Sequence, residues 1–232
     1  MLTLRKGSSR KHTLRAGLET WSTFNPEDRG DPFGGGFRAL EVFNEKILAP
    51  GRAMPRRARK DMETLTYVLD GLLLHEDDLG NSETIRPGEF QLMSAGNGMS
   101  HRRFNGSHLN SARVFEGRVR SDKEGRRPEC AQKRFTAADR RANFCLVASP
   151  DGLRSSFRIR QDVQAYSSLP DRGCHLIHGL KPGRRAWLHV VGGHLQLLHL
   201  DLIAGDGVGF EDEASVSVTA LESSELLLFD LG

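Results

Sequence analysis

Residues 62–101 read METLTYVLDGLLLHEDDLGNSETIRPGEFQLMSAGNGMSH, and their rhythm decides the fold. A β-rich run from Thr64 to Leu69 meets a turn at Asp70-Gly71. A second run, Leu72 to Glu76, ends at Asp78-Leu79-Gly80-Asn81. A third, Glu83 to Arg86, meets Pro87-Gly88, and a fourth, Phe90 to Met93, runs into Gly96 and Gly98. Short strands punctuated by turn residues roughly every 8–12 positions mark a sandwich or barrel.

The C-terminal stretch RAWLHVVGGHLQLLHLDLIAGDGVGFEDEASVSVTALESSELLLFDLG repeats that rhythm, with strands expected at 186–191, 194–199, 207–210, 215–220 and 225–230. The two halves echo each other. Each has a Pro-Gly (50–51, then 182–183), a basic stretch, a strand, a turn with Gly (71, then 193), another strand, and a Gly-Glu or Gly-Asp turn (88–89, then 205–206). Such self-similarity points to a duplicated β-barrel. Between the halves, RVRSDKEGRRPECAQKRFTAADRR (118–141) is charged and lacks β periodicity, so it reads as the connection. A short helix is expected from Thr136, which suits an N-cap.

A chain of 232 residues is one large all-β domain or two of about 100–120 residues. The net charge of +3 is too small for a general nucleic-acid binder, so any basic function is local. Cys130, Cys145 and Cys174 form no CxxC pair and suit free thiols in a reducing compartment. No apolar run approaches the roughly 20 residues of a membrane helix. The N-terminal stretch has charge but no apolar segment of the kind a signal peptide carries. Its Arg5, Lys6, Arg10, Lys11 and Arg15 are expected on a solvated edge, and the expected location is cytoplasmic.

From Gly51 the spacing is G-x5-R-x-R-x3-E-x7-G, formed by Gly51, Arg57, Arg59, Glu63 and Gly71. Gly98, His101 and Asn105 follow as G-x2-H-x3-N. These spacings resemble the two metal-binding motifs of cupins, which have His at both Arg positions. An x-spaced pair on a strand shares one face. The second motif's His is expected from a facing strand. RALEVFNEKILAPG, DMETLTYVLDG, GEFQLMSAGNGMSH, LVASPDGLRSSFRIRQDVQAY and the C-terminal strands together resemble the pirin family of bicupins along nearly the whole chain, in the same order. The resemblance implies an all-β bicupin, two jelly-roll (cupin) β-barrels in tandem. Residues 1–125 are expected to form the N-terminal barrel, 126–139 the linker and 140–232 the C-terminal barrel, with linker and chain ends free to cross over. It also implies quercetin 2,3-dioxygenase activity or a transcriptional cofactor role, as known for members of the family.

The family's four metal positions fall on Arg57, Arg59, His101 and Arg103, and only His101 keeps a ligand type. Arginine stays protonated and offers no lone pair. At an effective dielectric near 20, a unit charge 4 Å from another is worth about 4 kcal/mol, and a dication doubles the repulsion. No cofactor is therefore expected. Glu63, at the conventional cupin glutamate position, is expected to pair with an arginine, and Arg56 and Lys60 alternate outward into solvent.

Three readings follow. In the first, Arg57, Arg59, Arg103 and His101 form a pocket for a small anionic or phenolic ligand. In the second, the site is degenerate. Its arginines pair with Glu63, Asp61 or Glu116, and the protein works through a protein partner. In the third, relocated ligands hold Fe, Cu, Ni, Mn or Zn for a dioxygenase. The other histidines (His175, His178, His189, His194, His199) read as ordinary sheet residues. No membrane or direct nucleic-acid partner is expected.

Overall fold

The computed structural model describes residues 1–24, 26, 30, 31 and 33–232. In chain order its strands are β1 (Leu2–Arg5), β2 (Lys11–Arg15), β3 (Leu18–Phe24), β4 (Leu40–Leu48), β5 (Arg57–Arg59), β6 (Met62–Asp70), β7 (Leu73–Asp77), β8 (Ser82–Ile85), β9 (Glu89–Ser94), β10 (Met99–Asn105), β11 (Ala112–Arg120) and β12 (Glu129–Arg134). The one α-helix among the described residues, α1 (Ala137–Arg140), separates these from β13 (Cys145–Ser149), β14 (Phe157–Arg158), β15 (Val163–Ser168), β16 (His175–Gly179), β17 (Arg185–Gly192), β18 (His194–Leu197), β19 (Leu200–Ile203), β20 (Gly207–Phe210), β21 (Ser215–Ala220) and β22 (Glu225–Leu231). Thr136 caps α1 as expected, in a capping box with Asp139.

Two compact units result. One holds residues 11–36 and 40–134, with a seven-stranded sheet β12-β9-β6-β11-β4-β3-β2 and a four-stranded sheet β5-β10-β7-β8. The other holds residues 1–10, 37–39 and 135–232, with sheets β1-β20-β17-β22-β15-β13-β14 and β16-β21-β18-β19. The duplication heard in the sequence is thus a duplication of sheet order.

The boundaries differ from those expected at 125 and 140. Part of the expected linker is strand β12, which pairs antiparallel with β9 from Glu129↔Ser94 to Arg134↔Glu89. The first strand of the chain belongs to the C-terminal unit, where β1 pairs with β20 from Leu2↔Phe210 to Arg5↔Gly207. Each seven-stranded sheet takes one of its two outermost strands, β12 or β1, from outside the tandem repeat, because an edge of unpaired N–H and C=O groups is satisfied by whichever extended segment reaches it. The expected solvated N-terminal edge holds for Lys6, Lys11 and Arg15, which are exposed, but not for Arg5, buried where β1 pairs with β20, nor for Arg10, also buried. The expected strand 194–199 stops at Leu197, since Leu198 has φ +54° and begins a turn.

The interiors differ in kind. The C-terminal unit fills its core with apolar side chains, among them Leu188, Val208, Val216, Val218 and Leu228. Trp187 is fully buried and packs 5.5 Å from the Phe37 ring. The N-terminal unit has an apolar end formed by Leu48, Val68, Leu73, Ile85 and Val114. Above it, Asn44, Glu116, Thr66 and Gln91 are register partners across four adjacent strands and share one face. This is a polar row inside a barrel. Its counterparts at Thr66, Glu116 and Gln91 in the other unit are Leu188, Leu228 and Val208.

Candidate functional site

The four-stranded sheet carries the candidate residues. β5 pairs with β10, matching Arg57 to His101 and Arg59 to Met99. β7 flanks β10 on the other side, matching His101 to Asp77 and Arg103 to His75. Directly paired residues share a face, and so do alternate residues of one strand. Arg57, Arg59, His101 and Arg103 therefore lie on one face, joined by His75 and Asp77. The expectation that His101 enters from a facing strand is corrected: β5 and β10 are hydrogen-bonded neighbours, because Arg57–Arg59 forms its own short strand before β6.

The side chains diverge from there. Arg57 is exposed and Arg59 is partly buried, while His101 and Arg103 are buried. Arg103 is 2% exposed and reaches across to the polar row. Its Nη1 donates to Glu116 Oε1 at 2.7 Å and its Nη2 to Gln91 Oε1 at 3.0 Å. Lys46 from β4 ion-pairs with the other oxygen of Glu116. Burial pushes the Glu116 carboxyl up, but Lys46 and Arg103 outweigh that and hold it well below the usual carboxylate range.

His101 is pressed the other way. Burial, then the Arg103 charge, push its pKa down to about 3, with His75 and Arg59 adding to the effect. Its Nδ1 is buried with no hydrogen-bond partner among the described residues. The His75 ring stacks on it, centroids 5.8 Å apart. His75 Nε2 is 3.3 Å from Asp77 Oδ2 and 4.0 Å from Cys130 Sγ. Burial, then Glu83, push the Cys130 thiol up to about 12.

Glu63 does not join this face. It is paired with Ser94 in register and lies three residues from Thr66, so it occupies the opposite side of β6. Its Oε1 accepts from Ser94 Oγ at 2.7 Å and Ser121 Oγ at 3.4 Å. Arg56 and Lys60 are exposed as expected, and Arg56 donates to Ser100 Oγ at 3.3 Å.

The chemistry of this donor set does not fit a divalent cation. Of Arg57, Arg59, His101 and Arg103, only His101 offers a lone pair, and the Arg103 guanidinium lies buried on the same strand. Among the described residues no group of three or more His, Cys, Asp or Glu is arranged to hold a metal ion. The sequence reading missed His75, Lys46 and Gln91. His75 and Gln91 sit in the quoted stretch, and the signal was their alternation with apolar neighbours on β7 and β9. Among the described residues no helix is long and apolar enough to cross a membrane.

Comparison with known proteins agrees with the fold. Residues 7–117 match the family model described as Pirin, and residues 146–231 match Quercetinase C-terminal cupin domain. A quercetin 2,3-dioxygenase of Escherichia coli (strain K12) is 35% identical over 231 residues, covering 100% of this chain and 99% of that protein. The crystal structure of YhhW from Escherichia coli is similar at a TM-score of 0.95 and 35% identity, covering 100% of this chain and 98% of that one. A crystal structure of the bacterial pirin YhhW in complex with nickel(II) is similar at a TM-score of 0.93 and 35% identity, covering 100% and 99%. With one family model on each barrel and a relative at 35% identity along its full length, the chain belongs to the pirin family of bicupins.

Proposed function

We propose that this chain is a pirin-type bicupin that has lost three of the four metal-ligand positions, at Arg57, Arg59 and Arg103. On this reading it is a non-catalytic binding or regulatory protein that takes a small anion in its N-terminal barrel. One observation carries the reading: the Arg103 guanidinium is buried and tied to both Glu116 and Gln91. A side chain held by two partners does not swing away for a metal. It also presents a fixed positive charge toward His101, the one ligand-type side chain left. The three free cysteines suit a reducing, cytoplasmic setting.

The competing reading is a metal-dependent quercetin 2,3-dioxygenase, favoured by the full-length likeness to the Escherichia coli protein of that name. Elemental analysis of freshly purified, untagged protein for iron, copper, nickel, manganese and zinc decides between them, with flavonol turnover measured on the same sample. A metal content well below one per chain with no turnover is the expected result. A content near one per chain, with turnover, overturns the proposal.

A further inference from the structure

The two barrels can be laid on each other by register alone. Leu73↔Asn105 corresponds to Leu195↔Ala220, each two residues after the hairpin glycine, Gly71 or Gly193. Counting outward, Arg57↔His101 corresponds to His178↔Val216, and Thr64↔Arg118 to Ala186↔Asp230. His178 therefore stands where Arg57 stands, and Asp230 where Arg118 stands. In the C-terminal barrel these two positions touch: His178 Nε2 is 2.9 Å from Asp230 Oδ2. A base and an acid close that barrel end.

In the N-terminal barrel the same two positions are both arginine. Arg118 lies on the face of Glu116 and Arg57 on the face of His101. Among the described residues neither the Arg57 nor the Arg118 side chain has a hydrogen-bond or ion-pair partner. The acids nearby are committed: Glu116 to Lys46 and Arg103, Asp77 to Asn81 and His75, and Glu63 to the other side of β6. Two forked cations at positions whose counterparts meet leave room for a shared oxyanion. His101 Nδ1, buried and without a partner among the described residues, belongs to the same face. Met99, two residues before His101, and Met93, the register partner of Thr64 beside Arg118, share these faces and form a buried cluster with Ala95. That lining suits an apolar body and offers nothing to a fully hydrated phosphate.

Resting on the metal-free reading above, we infer that the N-terminal barrel binds a small monocarboxylate with an apolar body, its carboxylate bridged by Arg57 and Arg118. Benzoate is the probe, with acetate and inorganic phosphate beside it, read by thermal melting and calorimetry on the full chain. Benzoate is expected to raise the melting temperature and to bind more tightly than either comparison anion. Arg57→Gln and Arg118→Gln should each weaken it at least about tenfold. Arg56→Gln, on the outward neighbour, should bind as the parent does. Arg118→Lys keeps the charge and loses the fork, so it should also weaken binding, and it serves if Arg118→Gln does not fold. Parent-like affinity in Arg118→Gln or Arg118→Lys overturns the inference, as does phosphate binding as tightly as benzoate. No benzoate response from a metal-free protein sinks this inference alone, whereas a bound metal sinks the reading beneath it.

Discussion

Arg103 Nη1 stands 2.7 Å from Glu116 Oε1, and that contact joins β10 of the four-stranded sheet to β11 of the seven-stranded sheet. The two faces of the N-terminal barrel are tied through a buried guanidinium and not through apolar packing at this level. Removing Glu116 strands the Arg103 charge inside the barrel, whereas removing Arg103 leaves Glu116 with Lys46 alone.

Glu116→Met is accordingly expected to cost about 3–5 kcal/mol, the usual loss when one member of a buried pair is deleted. Arg103→Met with Glu116→Met should cost clearly less than the sum of Arg103→Met and Glu116→Met alone, because the double leaves neither member of this pair facing an empty place, although Lys46 still loses its partner. Urea unfolding of the parent, both singles and the double closes the cycle. A double variant as unstable as the sum of the singles would show that the two side chains are not coupled.

His101 makes stability depend on pH. Its folded pKa, pushed down to about 3, lies below the ordinary histidine value of about 6.5. Between those values the unfolded chain binds a proton that the folded chain refuses, so stability rises with pH. Acidification from about pH 6.5 should therefore weaken the fold, and the effect of this group should level off near pH 3. His75, also lowered by burial and Arg103, acts in the same direction. Urea midpoints against pH should show a shallower slope in His101→Gln. An unchanged slope would mean that His101 is not the group responsible.

Restoring the family's ligand set tests the placement of the motif. Arg57→His, Arg59→His and Arg103→Glu together should gain about one equivalent of divalent metal per chain, read by elemental analysis after dialysis, since three protein ligands and an open position suffice for a cupin-type N/O site. A triple variant that folds and takes up no metal would show that these positions do not form the family's site.

Gly71 and Gly80 separate backbone strain from crowding. Both are left-handed, with φ +77° and +90°. A Cβ on Gly80 meets nothing within 4 Å, whereas one on Gly71 falls on the backbone of Ser111 and Ala112. Gly80→Ala should cost about 1–2 kcal/mol, the strain of a left-handed L-residue. Gly71→Ala should cost more, by the displacement of β11. Equal losses in urea unfolding would contradict the close approach.

Much of this protein is local and so is written in the chain. Strand positions, the hairpin glycines, the Thr136 cap and the duplication follow from period-2 patterning and turn chemistry, which neighbours in sequence settle among themselves. Arg57 with Arg59, and His101 with Arg103, each share a face for the same reason, since alternate strand residues point one way; that the two pairs share one face depends on the pairing of β5 with β10. What the chain could not state by itself is which strands meet. That β1 completes the C-terminal sheet and β12 the N-terminal one depends on edges left unpaired far away in sequence. That Arg103 is held by Glu116 and Gln91, that Glu63 lies on the wrong side of β6, and that Arg118 shares the barrel end with Arg57 are consequences of register between strands. A one-residue shift of register exchanges the two faces of a strand, so the identity of each site neighbour belongs to the tertiary structure alone.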